Sequence, residues 1–373
     1  QLPGAEVTID LGQLGFRTVA IDDEGDGGFG LLVNGTRVFC RGACHTPLDP
    51  ISLGVPTAAL QERVALARAA NMNMLRVPGI LAYEPPEFFE LCDRAGVMVF
   101  QDFMFANLDY PASSEGFCES VRGEVAELLD STQLSPSLCV LCGNSEGEQQ
   151  AAMAGAPREA WESPLFHEVM PSACKATRPD VPYWPSSAHG GPLPFAPSTG
   201  TTSYYGVGAY LRPLDDARRS EVRFATECLA FSNVPDQATL EAAFPDKAAI
   251  PHHPLWKSFV PRDPGAGWDF EDVRDHYLAE LFSTAPMRLR AADLDGYLQK
   301  SRVVTGEVMA HSFGEWRRPG SRCRGALVFQ LGDVYRGAGW GVIDGLGTPK
   351  AAYYYLRRAF AAVAIFLTDE GQN

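Results

Sequence analysis

Two glutamates occupy the same kind of position in this chain. Glu146 follows the apolar run Leu138-Cys139-Val140-Leu141-Cys142 and the turn Gly143-Asn144-Ser145, and Glu227 ends the run Phe224-Ala225-Thr226, 81 residues further on. An apolar run that ends in polar groups is how a buried parallel strand delivers side chains to the carboxyl edge of an α/β sheet, where the active sites of such folds lie. Two carboxylates brought together there have a defined use at an acetal carbon. One is kept protonated and donates to the leaving oxygen, while the other stays ionised and attacks the anomeric carbon. A separation of roughly 5–5.5 Å gives double displacement with retained configuration. A single Glu after a strand is more often a helix N-terminal acid or a surface charge. Two of them, each behind an apolar run, favour the catalytic pair.

Such a pair needs parallel strands to hold it, and from Arg37 onward short apolar runs alternate with helical stretches, the pattern of βα repeats. Strands are expected at 38–44, 74–77, 97–103, 138–142, 183–186, 201–205, 222–226 and 324–331. Helices are expected between them, with Leu60, Val64 and Ala67 sharing one face and Val121, Val125 and Leu128 another. A Pro- and His-rich stretch at 231–269 reads as a long decorated loop, followed by helices at 270–282 and 293–309 and a last helix at 350–366. Eight βα units predict an α/β fold, a (β/α)8 TIM barrel over 37–366. Residues 1–36 are β-rich: Val7, Ile9 and Leu11 alternate, as do Val19 and Ile21, then Phe29, Leu31 and Val33, with turns at 24–28 and Asn34-Gly35. These strands are too few to close a core. They are expected to be the C-terminal strands and linker of an immunoglobulin-like sandwich domain whose earlier part lies before residue 1. Residues 367–373 are expected to open a following segment.

Composition excludes several classes. The net charge of −15, from 31 Lys and Arg against 46 Asp and Glu, with no basic stripe, argues against a nucleic-acid partner. No apolar run reaches the roughly 18 residues that cross a bilayer, so no membrane partner is expected, and the first residues show no charged leader before an apolar segment. Nine cysteines, an odd number set largely in apolar runs, read as buried reduced thiols and suggest a cytoplasmic location. Cys139 and Cys142 form a lone C-x-x-C with no second pair, a poor zinc motif.

The parse places at the carboxyl ends of successive strands Cys44 and His45, then Arg76, Asp102, Asn144-Ser145-Glu146, Trp184 and Ser186, Tyr204 and Tyr205, Glu227, and Gln330. Imidazoles are scarce in this set, so it makes a poor metal site, and neither metal nor cofactor is expected. It suits a carbohydrate, because aromatic faces stack on pyranose C–H surfaces and carboxylates and amides read hydroxyls. Blander readings stand beside these. Arg76 and Asp102 could be a barrel-core ion pair, His45 could pack beside Pro47, and His252-His253 reads as surface or packing. Glu148, two residues past Glu146, should point away. His189 and Trp340 could each line the pocket or lie outside it.

At these residues the chain resembles glycoside hydrolase family 2, in its β-mannosidase-like branch, over nearly its whole length. The resemblance rests on Gly15-Phe16-Arg17, Leu32-Val33-Asn34-Gly35, Val38-Phe39-Cys40-Arg41-Gly42, Asn73-Met74-Leu75-Arg76-Val77 with Tyr83-Glu84 and Cys92-Asp93. It extends through Gln101-Asp102-Phe103-Met104-Phe105 with Tyr110-Pro111, and Tyr183-Trp184-Pro185-Ser186-Ser187. Gly143-Asn144-Ser145-Glu146 is similar to the acid/base motif and Arg223-Phe224-Ala225-Thr226-Glu227 to the nucleophile motif. The resemblance implies Glu146 as general acid/base, Glu227 as nucleophile, Arg76 and Asp102 in the sugar subsite, and Trp184 shaping the pocket. It also implies sandwich domains ahead of the barrel as partners in the same protein.

The pattern departs in places. Ser145 stands where the family has the Asn that reads the 2-hydroxyl, and His45 where it offers a Trp platform. Ser203 and Tyr205 replace a His and a Trp, and Tyr335 stands for a Trp. These changes bear on which sugar is taken and leave the carboxylates untouched. The expected activity is a retaining exo-β-glycosidase acting on terminal β-mannosides. The alternatives are a β-glucosidase, galactosidase or glucuronidase of the same family, a non-catalytic carbohydrate-binding relative, or a segment that is active only with its sandwich domains.

Overall fold

The computed structural model describes residues 14–371 except 24, 108 and 245–250. The alternation expected at Val7, Ile9 and Leu11, Glu24 in the first turn, and residues 372–373 lie outside the described residues. Three short strands, β1 (Val19–Ile21), β2 (Leu31–Val33) and β3 (Thr36–Val38), form a small antiparallel sheet. The hairpin between β2 and β3 turns at Asn34 and Gly35, both at positive φ (51° and 73°), the pair that a tight two-residue turn requires. This hairpin takes Val38 away from the first barrel strand, which starts at Cys40 rather than at the expected residue 38.

The barrel strands are β4 (Cys40–Cys44), β5 (Met74–Val77), β6 (Met98–Asp102), β7 (Leu138–Cys142), β8 (Tyr183–Trp184), β9 (Thr202–Tyr204), β10 (Phe224–Cys228) and β11 (Gly325–Val328). They form one eight-stranded sheet in the order β8-β7-β6-β5-β4-β11-β10-β9, with every pair parallel. Consecutive strands stand at its two ends, which the Trp184 Nε1 to Thr201 Oγ1 bond draws together (3.0 Å). This is the TIM barrel that the repeats predict. The helix expected over 293–309 runs on as Leu294–Arg317, the last helix is only Ala351–Ala359, and the described residues of the 231–269 stretch include two short helices, Gln237–Ala243 and Pro254–Lys257.

Period-two alternation, interrupted in β7 by a register shift between Leu138 and Val140, sorts the strands into an outer face against the helices and an inner face. Leu75, Val77, Val99, Leu138, Leu141, Ala225 and Ala326 join the helix-facing core. Met74, Phe100, Val140, Phe224 and Leu327 form a second cluster inside the barrel together with Phe29 and Leu31. The segment before the barrel thus plugs its floor: Phe29 is 1% exposed and meets Trp184 and Phe224 edge-on at centroid distances of 4.7 and 4.9 Å. Two residues above Met74 and Phe100, on the same inner face, stand Arg76 and Asp102. An apolar floor therefore carries a polar layer. Phe29→Ala should lower stability by about 3–5 kcal/mol through lost burial and a cavity, read as a lower urea midpoint at unchanged slope. An unchanged midpoint would refute the plug.

Candidate active site

Arg76 is the hub of the polar layer. It is fully buried, and its Nη2 reaches Asp102 Oδ2 (2.6 Å), Ser187 Oγ (2.6 Å) and Ser145 Oγ (3.2 Å), while Nη1 donates to Glu227 Oε1 (2.8 Å) and the Thr226 carbonyl (3.2 Å). Burial by itself would lower the guanidinium's pKa, but the carboxylates of Asp102 and Glu227 outweigh it and hold the group well above its ordinary value.

Glu227 reaches this layer through an irregularity. Phe224 faces the barrel interior and Ala225 the helices, so strict alternation would turn Glu227 outward. The register of β10 slips against both neighbours between Ala225 and Cys228, a bulge of the kind that re-aims side chains beside active sites. The Glu227 carboxylate consequently points inward. Its second oxygen accepts from the Tyr205 hydroxyl at 2.5 Å. Burial first, then the charges of Glu227 and Glu146, push the Tyr205 phenol far above its usual value, so it remains a donor. Tyr205→Phe should lower kcat/KM by roughly 10- to 100-fold, the worth of a hydrogen bond to a charged group, about 1.5–3 kcal/mol, measured by steady-state kinetics with folding checked by circular dichroism.

Glu146 stands at the start of the helix Gly147–Met153, in the left-handed region at φ 60°. Non-glycine residues rarely hold that conformation, and it concentrates at functional sites. Here the Glu146 amide is fixed to the Ser187 carbonyl (2.7 Å). The carboxylate accepts from Gln149 Nε2 (3.1 Å) and Gln150 Nε2 (3.0 Å). Burial, then the nearby Glu227 charge, raise its pKa above the ordinary value. Glu146, Glu227, Ser145 and Tyr205 line one cavity of about 410 Å³, walled by Ile80, Met153, Trp268, Phe329 and Trp340.

Other expected site residues sit differently. His45 follows Cys44, whose thiol faces the interior, so alternation turns the imidazole outward. It is fully buried, stacked on Phe88 at 4.8 Å and bonded to Glu84 (3.1 Å), and is not among the cavity residues. Trp184 stands in register with Cys142, a level below the polar groups, and packs on Phe29 instead of lining the cavity. Asn144 spends its amide on the turn: Oδ1 accepts from the Gly147 amide and Ser186 Oγ (both 2.8 Å), and Nδ2 donates to the Pro185 carbonyl (3.1 Å). Ser145 lines the cavity, but its hydroxyl donates to Asp102 Oδ2 (2.6 Å) and accepts from the Gly79 amide (2.8 Å). A Cβ at Gly79 would lie 2.1 Å from the Phe103 carbonyl oxygen, so only glycine brings that amide so close. Sequence reasoning quoted Ser187 only as the end of a motif, without a site role, and passed over Gln150, one helical turn beyond Glu146. Asp263 and Trp268, cavity residues from the decorated loop, carry no periodic signal that could have found them.

No protein-family model matches the chain. It is 27% identical over 384 residues to β-mannosidase B of Aspergillus niger, covering 96% of this chain and 44% of that protein. It is 28% identical over 380 residues to β-mannosidase B of Emericella nidulans, with the same coverage. The chain thus spans less than half the length of these curated relatives. Among solved structures, the β-D-mannosidase of Dictyoglomus thermophilum is similar with a TM-score of 0.82 at 27% identity, over 93% of this chain and 42% of that one. The exo-chitosanase of Amycolatopsis orientalis shares the fold, with a TM-score of 0.69 at 17% identity over 96% and 41%.

Proposed function

We propose that this chain, a β-mannosidase-like protein of glycoside hydrolase family 2, acts as a retaining exo-β-glycosidase on terminal β-mannosides. Glu227 attacks the anomeric carbon and forms a glycosyl ester. Glu146 first donates a proton to the leaving oxygen and then removes one from the water that hydrolyses the ester. The observation that carries this reading is the unequal treatment of two carboxylates in one cavity. Glu227 accepts from the buried guanidinium of Arg76 and the phenol of Tyr205, as suits a nucleophile, whereas Glu146 accepts from the neutral amides of Gln149 and Gln150. Glu146 is raised by burial and by Glu227, as suits a proton donor.

The test is a pH profile. The acid must be protonated to work, so activity falls as pH rises through its pKa, and a raised Glu146 moves the alkaline limb of kcat/KM above the ordinary carboxylate range. Glu146→Gln should abolish that limb. It should cost about 10²–10⁴-fold on alkyl glycosides and far less on aryl glycosides whose leaving group needs no proton. An unchanged alkaline limb in Glu146→Gln would sink the assignment.

A second sugar is favoured by one observation. The Ser145 hydroxyl is already committed to Asp102 and the Gly79 amide, which weakens the case for a reader of the mannose 2-hydroxyl at that position. Aryl β-mannoside, glucoside, galactoside and glucuronide compared on the full-length protein discriminate these readings. Turnover of none, with binding retained, would favour a carbohydrate-binding role.

A further inference from the structure

Glu148 lies in the first turn of the helix Gly147–Met153, where two residues turn the side chain by about 200°, and it is not among the cavity residues, but it does not end in solvent. The residue is 1% exposed. Its Oε1 lies 2.8 Å from His167 Nε2 and its Oε2 2.7 Å from His189 Nδ1. The three come from separate elements. Glu148 is in the first turn of Gly147–Met153, His167 in the π-helical turn Leu165–Val169, and His189 in the loop after β8. The imidazole centroids are 5.6 Å apart, and the ligand atoms of the three side chains all fall within 4.8 Å of one another. The carboxylate side is closed, while the His167 and His189 side chains are 26% and 19% exposed, which leaves an entry path. None of the three lines the cavity.

We propose that Glu148, His167 and His189 bind a divalent transition metal, with zinc as the ion of choice. Two imidazole nitrogens and one carboxylate leave the fourth tetrahedral position to water, an established zinc ligand set. Imidazole donors select zinc, cobalt, nickel and copper over magnesium and calcium, which prefer all-oxygen sites. Bonds of about 2.0–2.2 Å around a tetrahedral ion set donor atoms about 3.3–3.5 Å apart, so the two close pairs open by well under 1 Å. Imidazolium protons must leave for the ion to enter, so affinity falls at acid pH. The ion's role is positioning. It ties the helix that begins directly after Glu146 to the segment that also supplies the Ser187 carbonyl to the Glu146 amide.

Titration calorimetry with zinc chloride on chelator-stripped full-length protein tests this. One site is expected, not displaced by millimolar magnesium, with a higher melting temperature in zinc. Cobalt should give the visible absorption of a tetrahedral site. His167→Gln and His189→Asn keep an N–H facing Glu148, so each should melt like wild type without metal yet bind zinc about 100-fold more weakly or worse. Absence of binding to wild type would overturn the proposal. So would equal zinc affinity in the His167→Gln, His189→Asn double variant, which would place the ion on other surface histidines. Binding is read directly, so its failure leaves the glycosidase reading untouched.

Discussion

Glu227→Gln is expected to lower kcat/KM on aryl β-glycosides by about 10⁴-fold or more, because the amide cannot form the glycosyl ester on which the double displacement depends. The fold should survive. A Gln oxygen still accepts from Arg76 Nη1, and the Tyr205 hydroxyl, now facing an NH₂, can accept instead of donate. Glu227→Ala sharpens the test, since it leaves a gap beside the anomeric carbon. Azide added there should attack from the vacated side and release a glycosyl azide of inverted configuration, identified by NMR. A Glu146→Ala variant should instead give the azide with retained configuration, because its nucleophile is intact and azide enters at the second step. Near-wild-type turnover in Glu227→Gln would refute the assignment, and exchanged azide stereochemistry between the two variants would reverse the roles.

Arg76→Met is expected to cost about 3–5 kcal/mol of stability, the usual penalty for removing one partner of a buried ion pair. Arg76 neutralises Asp102, which is fully buried, and also donates to Glu227, two hydroxyls and the Thr226 carbonyl. Methionine fills most of the volume and supplies none of the five donors. The deficit should depend on pH with a predictable sign. An orphaned, buried Asp102 would have a folded pKa above its unfolded one, so its penalty is absent below the unfolded value and grows as pH rises. Denaturation midpoints should therefore converge with wild type in acid and diverge toward neutrality. Arg76→Lys should recover only part of the loss, since one ammonium cannot reproduce the planar fork. A pH-independent deficit would mean that Asp102 finds another partner.

Much of this was legible in the chain itself. Apolar runs with helical stretches between them specify eight βα units. A strand's period of two then puts Arg76 above Met74 and Asp102 above Phe100, so that two charged groups share the inner face with the apolar floor. The turn after Leu138–Cys142 announces Glu146, because a buried strand that breaks at glycine has to release its polar groups at the sheet edge. What the sequence could not convey is what happens when alternation slips or reverses. The bulge in β10 inserts one residue and turns Glu227 into the barrel, and no propensity marks it. Plain alternation at Cys44 sends His45 outward onto Phe88, although its position at a strand end suggested a sugar platform. Trp184 ends one level too low, against Phe29. The cavity walls at Asp263 and Trp268, and the meeting of Glu148 with His167 and His189, depend on where aperiodic loops return. Local residue patterns fixed which groups reach the carboxyl edge of the barrel. Only packing between segments distant in the chain decided which of them face one another, because each such contact is set by the path of a loop and the register of a strand rather than by the residues beside it.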